Sequence, residues 1–257
     1  MNIEITKMHG LGNDFVMIDN LKGGIKLSAK QIRALCDRHF GVGADGLILI
    51  EKSKGADCFM NYYNSDGTTA ELCANGIRCT ARLYLEIVKS KKKDIIVGTR
   101  AGAKEIKVKK NNYEVNMGKP MFIHKDFPSK TKILSGLEFN FVSVGNPHAI
   151  SFVKDLDSYD ISKVGPKVEN STLFPNKINV ELAQFVNRKY IKMKVWERGS
   201  GVTLACGTGA TGVYALARKA DLVDKNIEIE LPGGVLKFSE NGQGEILMTG
   251  PAEKVFH

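Results

Sequence analysis

The chain has 257 residues, 43% of them hydrophobic and 25% charged, which is the composition of a folded protein with room for one large domain or two smaller ones. Its formal net charge of +9 is spread along the sequence without a zinc-finger or helix-turn-helix pattern, and its five cysteines are odd in number and unevenly spaced, so neither a nucleic-acid partner nor a secreted disulfide framework is predicted. No apolar run approaches the roughly 20 residues that cross a bilayer, and the first residues lack the apolar core of a signal peptide, so we expect a cytoplasmic protein with no membrane partner.

The first half of the chain is predicted to contain strands and two helices. Residues 3–19 indicate a strand, a glycine-rich turn and a second strand, and a helix is predicted over Ser28–His39 with Ser28 as its N-cap. Strands follow at 47–53 and 58–64, the latter ending in an Asp-Gly turn. From Cys73 to about Val88 the apolar spacing is helical. Three short strands are predicted after this helix, at 95–99, 105–110 and 113–118.

The second half repeats this order. Residues 139–153 indicate strand, turn and strand, and a helix is predicted from Cys206 to about Ala220. Further strands are predicted at 177–187, 190–201, 227–240 and 244–250. Two clear long helices among many strands favour an α+β fold over a doubly wound parallel sheet, in which one helix would follow each strand.

One ungapped offset relates the two halves. Cys206 lies 133 positions after Cys73. The same offset relates three further pairs: Gly12-Asn13 and Gly145-Asn146, Asn64 and Glu197, and Gly76 and Gly209. Because each cysteine follows a strand and a polar turn and opens a helix of small residues, we predict an internal duplication. The two pseudo-symmetric domains would be residues 1–118, joined by about 252–257, and residues 119–251, with a cleft in which the two cysteines face each other.

The segment LACGTGATG (Leu204–Gly212) contains the pattern G-x-G-x-x-G that is typical of dinucleotide sites. The equivalent loop CANGIRC keeps the cysteine but not these glycines. A dinucleotide site also needs an acidic residue about 20 positions further on, after a second strand, whereas Asp221 and Asp224 directly follow the helix. An NAD(P)-binding module is therefore the alternative from another class of protein.

Two cysteines at helix starts predict a specific chemistry. A helix N-terminus provides positive potential and unpaired backbone N–H groups, which lower a cysteine pKa from about 8.5 and also bind carboxylates. If two such cysteines approach one substrate, one thiolate removes the α-proton while the opposite thiol delivers a proton to the other face. No lysine stands in these loops to form a Schiff base, so we expect no pyridoxal phosphate or other cofactor, and no metal.

Several long segments make the chain similar to the diaminopimelate epimerase family over nearly its whole length: MHGLGNDF, NSDGTTAELCANGIRC, GNPH, ERGSGVTLACGTGATG and LPGG. The resemblance implies two domains, each a β-sheet wrapped around a central helix. It implies cofactor-independent, two-cysteine interconversion of LL- and meso-2,6-diaminopimelate for lysine and peptidoglycan synthesis, a small-molecule diamino-acid substrate, and a homodimer. The alternative is an epimerase or racemase of the same fold that acts on another amino acid, such as lanthionine or glutamate.

The resemblance also implies a role for individual residues. Cys73 and Cys206 would be base and acid, exchanging roles with the direction of reaction, and His148 and Glu197 would tune the pKa values of their thiols. Glu197 and Arg198 would bind the distal amino-acid end, where a guanidinium suits a carboxylate. The remaining implied substrate contacts are Asn13, Asn64, Ala74, Asn75, Asn146, Asn179, Gly207 and Thr208, of which residues 74, 75, 207 and 208 would act through backbone N–H groups.

Two positions depart from the family pattern. Ala74 stands where family members usually carry glycine, and Gly46 stands where some carry a glutamine that faces the substrate. Alanine keeps its N–H group but restricts φ, so both positions bear on substrate identity. The other cysteines, Cys36, Cys58 and Cys79, lack the loop context of the pair and are predicted to be packing residues.

Overall fold

The computed structural model describes residues 3–257 and divides them into two compact units. Unit 1 contains the described residues up to Val115 together with Gly250–His257, and unit 2 contains Asn116–Thr249. The predicted domain boundaries at 118/119 and 251/252 stay predictions, and Met1 and Asn2, which the first predicted domain includes, lie outside the described residues.

Unit 1 is a mixed sheet built around one long helix. Its elements are β1 (Thr6–Gly10), β2 (Asn13–Asn20), α1 (Ala29–Cys36), β3 (Gly46–Glu51), β4 (Cys58–Asn64), α2 (Ala74–Ile87), β5 (Asp94–Thr99), β6 (Gly102–Lys109), β7 (Asn112–Gly118, whose last three residues belong to unit 2) and β17 (Glu253–Phe256). β1 and β2 form a hairpin, β2 and β3 are parallel, β3 and β4 are antiparallel, β4 and β5 are parallel, and β5 to β7 form a meander. Strands β1 to β5 all contact α2, which is therefore the central helix.

Unit 2 repeats this plan around a second helix. Its elements are β8 (Lys132–Leu134), β9 (Leu137–Ser143), β10 (Pro147–Phe152), a single 3-10 turn (Leu156–Ser158), α3 (Ile161–Glu169), β11 (Asn179–Asn187), β12 (Tyr190–Glu197), β13 (Gly201–Val202), α4 (Gly207–Lys219), β14 (Ile227–Leu231), β15 (Gly234–Glu240) and β16 (Ile246–Pro251, whose last two residues belong to unit 1). β9 and β10 are antiparallel, β10 and β11 parallel, β11 and β12 antiparallel, β12 and β14 parallel, and β14 to β16 form a meander. Strands β9, β10, β11 and β15 contact α4.

The offset of 133 seen in the sequence also holds in the strand register. Two pairs of opposite residues in unit 1 recur in unit 2 at that spacing: Phe15–Gly46 and Leu47–Tyr63 in the first, His148–Asn179 and Val180–Trp196 in the second. Because the order of parallel and antiparallel pairings is also the same, each unit is one copy of a single plan. The predicted α+β fold with a duplicated, helix-centred sheet is confirmed.

Strands β2 and β3 are buried on both faces, which explains their continuous apolar sequences. One face packs against α1, through Val16, Ile18, Leu47, Leu49, Ile32 and Cys36. The opposite face points at α2, where Ile48 would lie 2.9 Å from a Cβ built on Gly76. Within residues 3–257, none of the helices has the length and apolar character needed to span a bilayer.

Helix α1 begins as predicted and ends early. Ser28 is its N-cap and forms a capping box with Gln31. The helix was predicted to reach His39 but ends at Cys36, because Asp37 is extended and its carboxylate accepts the backbone N–H groups of His39 and Phe40. This Asp-centred turn competes with the last turn of the helix.

Helix α3 was not predicted from the sequence. Gly165 and Pro166, both poor helix formers, lie in its middle and obscure its periodicity. Its N-cap is Asp160, whose side chain accepts the N–H of Ser162 at 3.0 Å. The glycine is required because a Cβ at Gly165 would lie 2.3 Å from the ring of Trp196. Packing against β11 and β12 therefore outweighs weak intrinsic helix propensity.

Candidate active site

Cys73 and Cys206 are the N-cap residues of the two central helices. Their backbone angles are nearly the same, with φ and ψ of −127° and 116° at Cys73 and −121° and 106° at Cys206. Each Sγ accepts a hydrogen bond from the backbone N–H three residues later, of Gly76 and of Gly209, at 3.4 Å in both cases. The prediction that each cysteine opens its helix is confirmed, and each sulfur lies where the helix dipole favours negative charge.

An asparagine from a hairpin turn reaches each helix N-terminus. In unit 1, Asn13 Oδ1 accepts a hydrogen bond from Asn75 Nδ2 at 3.2 Å and lies 3.4 Å from Cys73 Sγ. In unit 2, Asn146 Nδ2 donates to Thr208 Oγ1 at 3.3 Å. The two asparagines are equivalent positions, as are the residues that they contact. The structure thus groups the predicted residues around each cysteine in the same way.

The two asparagines present opposite ends of their amides to the helix starts. Asp45 Oδ2 accepts the Asn13 amide N–H group at 2.8 Å, which turns the Asn13 oxygen towards the sulfur. Asp45 is in turn bound by Arg38 at 2.8 Å. In unit 2, His148 Nε2 lies 3.1 Å from Asn146 Oδ1, which turns the amide nitrogen of Asn146 towards the helix start. An acidic residue behind one asparagine and a histidine behind the other therefore set the orientations.

A buried histidine–glutamate pair lies beneath α4. His148 Nδ1 and Glu181 Oε1 are 2.7 Å apart, and both side chains are fully buried. A Cβ at Gly209 would lie 2.5 Å from Glu181 Oε1, so α4 passes over the carboxyl group only because glycine is there. Burial raises the pKa of Glu181, and the neighbouring imidazole opposes this. In unit 1 the equivalent positions hold the apolar residues Phe15 and Ile48.

Cys206 is held as a thiol by its surroundings. The side chain is buried, and burial raises its pKa well above the ordinary value. The negative charges of Glu197 and Glu181 raise the pKa further, while hydrogen bonds from Thr208 and the Gly209 N–H act in the opposite direction. Because burial and two carboxylates act together, a proton bound to this sulfur is strongly retained.

Glu197 belongs to the same network. Its Oε1 accepts a hydrogen bond from Thr203 at 2.6 Å. Burial raises the pKa of Glu197, and the charge of Glu181 adds to the effect. Of the two predicted tuning residues, Glu197 acts electrostatically on Cys206, and His148 acts on the carboxyl groups of Glu197 and Glu181. Their roles in catalysis stay predictions.

The Asn179 side chain accepts a hydrogen bond from the backbone of Arg198. Asn179 Nδ2 donates to the Pro147 carbonyl at 2.9 Å, and its Oδ1 accepts the backbone N–H of Arg198 at 2.9 Å. The Arg198 side chain is exposed and donates to the Asn176 carbonyl at 3.0 Å. Asn179 thus fixes the start of the loop that carries Arg198. The predicted contacts of both residues with substrate stay predictions.

The loop after β12 is also fixed from α3. Glu169 is buried; its Oε2 accepts the Trp196 ring N–H at 2.7 Å and its Oε1 accepts the Gly199 backbone N–H at 3.1 Å. The two bonded residues, Trp196 and Gly199, lie on either side of Arg198 in the sequence. A helix that the sequence did not predict therefore supports a predicted binding residue.

The remaining predicted contacts are Asn64 and four backbone N–H groups. Asn64 Nδ2 donates to Thr68 Oγ1 at 3.0 Å at the end of β4. The N–H groups belong to the first two residues of each central helix: Ala74, Asn75, Gly207 and Thr208. N–H groups in the first turn of a helix have no partner within that helix, so they are suited to bind a carboxylate.

The two departures from the family pattern have local explanations. Ala74 lies at the first position of α2 and outside the positive-φ region, so alanine fits there without strain. A Cβ at Gly46 would lie 2.6 Å from the Tyr62 ring and 2.6 Å from the Tyr63 carbonyl oxygen. Any side chain at position 46 would therefore displace β4.

Two glycines of the G-x-G-x-x-G pattern, Gly209 and Gly212, serve helix packing. Gly207, Gly209 and Gly212 all lie within α4, and none has a positive φ. A Cβ at Gly212 would lie 3.0 Å from Val142, and Gly209 covers Glu181. In a dinucleotide site the first glycine makes a tight turn instead. The pattern therefore belongs to the cysteine-capped helix.

The three other cysteines are buried in the core, as predicted. Burial raises the pKa of Cys36 to about 11 and the pKa values of Cys58 and Cys79 to about 12. Among residues 3–257, no group of three or more His, Cys, Asp or Glu side chains is placed to hold a metal ion, and the expectation of a metal-free site stays an expectation.

Three charged residues near the two helix starts were not predicted from the sequence: Asp45, Arg78 and Glu181. Arg78 and Glu181 are fully buried, and each interrupts an apolar stretch, in GIRC and NVELAQF. A charge within an apolar segment was the available signal, because charged residues are almost never fully buried without a partner.

Known proteins resemble this chain over its full length. A family model described as "Diaminopimelate epimerase" matches residues 5–123 and 140–255. A diaminopimelate epimerase of Carboxydothermus hydrogenoformans is 42% identical, with 99% of this chain and 98% of that protein covered. A diaminopimelate epimerase of Nostoc punctiforme is 41% identical, with 100% and 99% covered.

Solved structures share the fold at much lower identity. A PhzF-family phenazine biosynthesis protein of Bacillus anthracis has a TM-score of 0.72 at 18% identity and covers 99% of this chain and 98% of its own. A hydroxyproline epimerase of Agrobacterium vitis, solved with bound trans-4-hydroxy-L-proline, has a TM-score of 0.70 at 14% identity, with 98% and 90% covered. At these identities the likeness concerns the fold alone.

Proposed function

The chain belongs to the diaminopimelate epimerase family, and we propose that it interconverts LL- and meso-2,6-diaminopimelate without a cofactor, with Cys73 and Cys206 as base and acid. The observation that carries the proposal is the equivalence of the two cysteines. Each is the N-cap of a central helix, with the same backbone conformation and the same hydrogen bond to its sulfur. Two equivalent sulfurs of this kind suit a reaction in which one carbon loses a proton and regains one.

The substrate carboxylate next to the reacting carbon is bound by helix N-termini. The donors are the first backbone N–H groups of α2 and α4, at Ala74, Asn75, Gly207 and Thr208. As the α-proton leaves, negative charge moves onto the carboxylate oxygens. Fixed N–H dipoles then stabilise that charge more in the transition state than in the ground state.

The proton transfers conserve charge. The thiolate of Cys73 takes the α-proton and becomes a thiol, while the thiol of Cys206 gives its proton to the opposite face of the same carbon and becomes a thiolate. The configuration is inverted, and the enzyme is left with its two protonation states exchanged. The reverse reaction begins from that exchanged state, so each sulfur is base in one direction and acid in the other.

The unit 2 network controls the proton on Cys206. Glu197 and Glu181 disfavour the thiolate, and His148 bonds to Glu181 at 2.7 Å. Arg198 is exposed next to Glu197, on a loop fixed by Asn179, and binds the distal carboxylate by a forked ion pair. The distal charge pair distinguishes a diamino acid with two carboxylates from a monoamino acid.

The same family membership supports three finer proposals: a cytoplasmic enzyme of lysine and peptidoglycan-precursor synthesis, a homodimer in solution, and activity independent of pyridoxal phosphate. Activity that persists after dialysis against a chelator and without added pyridoxal phosphate tests the last point. Light scattering tests the oligomeric state.

The central experiment follows the α-hydrogen. In deuterated water with LL-diaminopimelate, deuterium should enter the α-position as meso product appears, at a rate that Cys73→Ala and Cys206→Ala each reduce roughly a thousandfold. Cys36→Ala is the matched control, since it removes a buried thiol from the core and should keep the wild-type rate. Wild-type turnover by either catalytic-cysteine variant would refute the mechanism.

A substrate panel separates the proposal from its alternative. The enzyme is assayed with LL-diaminopimelate, lanthionine and glutamate under the same conditions. A higher kcat/KM on lanthionine or glutamate would assign the chain to a different substrate while leaving the two-thiol chemistry in place.

A further inference from the structure

Arg78 is a buried cation without a carboxylate partner. Its side chain is fully buried in α2, and its donors meet only neutral oxygens: Nη1 donates to the Ala74 carbonyl at 3.1 Å and Nε to the Pro251 carbonyl at 2.9 Å. Nη2 has no hydrogen-bond partner among the described residues. Burial lowers the pKa of Arg78 to about 10, so the guanidinium is still charged at neutral pH. A buried charge of this kind requires a compensating anion.

The guanidinium lies beneath the first turn of α2. It bonds to the carbonyl of Ala74, the residue that follows Cys73. A Cβ at Gly10 would lie 2.8 Å from Arg78 Nη2, so β1 carries glycine where the guanidinium needs room. The position thus adds one positive charge to the N-terminal end of a helix whose N-cap is a cysteine.

The equivalent position in unit 2 is neutral. The offset of 133 places Thr211 where Arg78 stands, and the Thr211 hydroxyl donates to the Gly207 carbonyl at 2.7 Å, just as Arg78 donates to the equivalent Ala74 carbonyl. The hydrogen bond is preserved and the charge is not. Unit 2 instead has a carboxylate, Glu181, where unit 1 has an isoleucine.

The opposite charges beneath the two helices act on the two sulfurs. A cation beneath α2 favours a thiolate at its N-cap, and the carboxylates near α4 favour a thiol there. The neighbouring Cys79 is not the missing anion, because burial raises its pKa to about 12. The neutral amide oxygen of Asn13, 3.4 Å from the Cys73 sulfur, acts against the thiolate, but a dipole that is partly exposed to water is weaker than a full charge in the interior.

We propose that Arg78 is the positioning residue that makes Cys73 the thiolate and leaves Cys206 the thiol in the substrate-free enzyme. The inference deepens the proposed function, on which its catalytic meaning rests. It assigns the free enzyme the protonation state that begins the reaction with Cys73 as base.

The strands packed against α2 and the helix itself carry other titratable groups, among them Cys79 and Tyr84 on the helix. β1 and β2 contribute Lys7, His9, Asp14 and Asp19, of which Lys7 and Asp14 form an ion pair at 2.7 Å. β3, β4 and β5 contribute Glu51, Cys58, Tyr62, Tyr63 and Asp94. On α2 itself Arg82 bonds Glu86 at 3.0 Å and lies 3.7 Å from Glu253. Among the described residues, none of these carboxylates is within ion-pair distance of Arg78.

The test measures the ionisation of each cysteine without reference to activity. Substrate-free enzyme is alkylated with iodoacetamide between pH 5 and pH 10, and the modification of Cys73 and Cys206 is followed separately by peptide mass spectrometry. In the wild type, the midpoint of Cys73 should lie below that of Cys206. In Arg78→Gln, which keeps a donor for the Ala74 carbonyl and removes only the charge, the midpoint of Cys73 should rise by about one pH unit or more, a roughly tenfold loss of thiolate at neutral pH.

Two variants serve as controls. Arg78→Lys keeps the charge and should keep the midpoint of Cys73 near its wild-type value. Arg82→Gln removes an arginine from the same helix one turn later, where the side chain is partly exposed and paired, and should not move the midpoint. Arg78→Thr, which installs the residue of unit 2, should reproduce the shift of Arg78→Gln and replaces it if that variant does not fold.

The inference is overturned if Cys206 ionises before Cys73 in the wild type, or if a folded charge-removing variant leaves the Cys73 midpoint in place. These outcomes are independent of the proposed function. A protein that fails to epimerise diaminopimelate but shows the Arg78-dependent midpoint would refute the function and keep the inference. A protein that epimerises diaminopimelate but whose Cys73 midpoint does not depend on Arg78 would keep the function and refute the inference.

Discussion

Transplanting the apolar residues of unit 1 into unit 2 would measure the energetic coupling of the buried His148–Glu181 pair. The positions correspond to Phe15 and Ile48, so the exchange is His148→Phe with Glu181→Ile. Both side chains are fully buried, with His148 Nδ1 and Glu181 Oε1 2.7 Å apart, and Glu181 Oε2 has no hydrogen-bond partner among the described residues. The glutamate therefore depends on the histidine for compensation.

The expected changes in the free energy of unfolding follow from the dependence of Glu181 on His148. His148→Phe alone leaves a buried carboxyl group without its partner and should lower the free energy of unfolding by about 3 kcal/mol or more. Glu181→Ile alone leaves a buried imidazole N–H unsatisfied and should lower it by about 2 kcal/mol. The double variant removes both groups in favour of an apolar pair, as found beneath α2, and should unfold within about 1 kcal/mol of the wild type.

Urea denaturation followed by circular dichroism gives the four free energies of the cycle. We expect a coupling energy of about 4 kcal/mol between the two substitutions. The exposed pair Glu228–Lys237, with atoms 3.2 Å apart, is the control cycle and should show little coupling. If the two buried substitutions were additive, the argument that His148 compensates Glu181 would be wrong.

Three further predictions concern positions around the two sites. Burial acts to raise the pKa of Asp14, but hydrogen bonds from the basic side chains of Arg38 and Lys7 outweigh it and lower the pKa from 3.8 to about 2. Asp14→Asn should therefore lose about 2 kcal/mol of unfolding free energy above pH 4, a difference that disappears as the pH falls towards 2. An equal loss at pH 2 and pH 7 in urea titrations would contradict this. Gly46→Ala should lower stability by about 1–3 kcal/mol in the same titrations because its Cβ would lie 2.6 Å from a backbone oxygen, while Gly55→Ala, with nothing within 4 Å, should be neutral. Glu169→Ala should raise KM for the diamino acid more than it lowers kcat, because it frees the loop that carries Arg198; an unchanged KM in steady-state kinetics would count against that support.

The two cysteine-capped helices were predictable because their signals are local. Helical periodicity, small residues in the first turn and a cysteine at the start of each segment all occur within about fifteen positions of Cys73 and Cys206. The duplication was predictable because one offset joins distant motifs, and the strand register of both units follows the same offset.

The polar groups beneath these helices were not predictable in the same way. Arg78 and Glu181 acquire their roles from strands and loops far away in sequence, such as the carbonyl of Pro251 for Arg78 and the ring of His148 for Glu181. Asp45 orients Asn13 across 32 positions of sequence. Helix α3 was missed for the converse reason, since Gly165 weakens its local signal and only contact with Trp196 explains the glycine.

Residues 78 and 211 occupy one position in two copies of the same plan, and the copies share a single polypeptide. In an assembly of two identical chains of half this length, one codon would specify both positions. A cation placed under one sulfur would then appear under the other, and the free protein would hold both protons equally tightly. Fusion of the copies lets the two positions mutate separately, so that an unequal distribution of protons can be inherited.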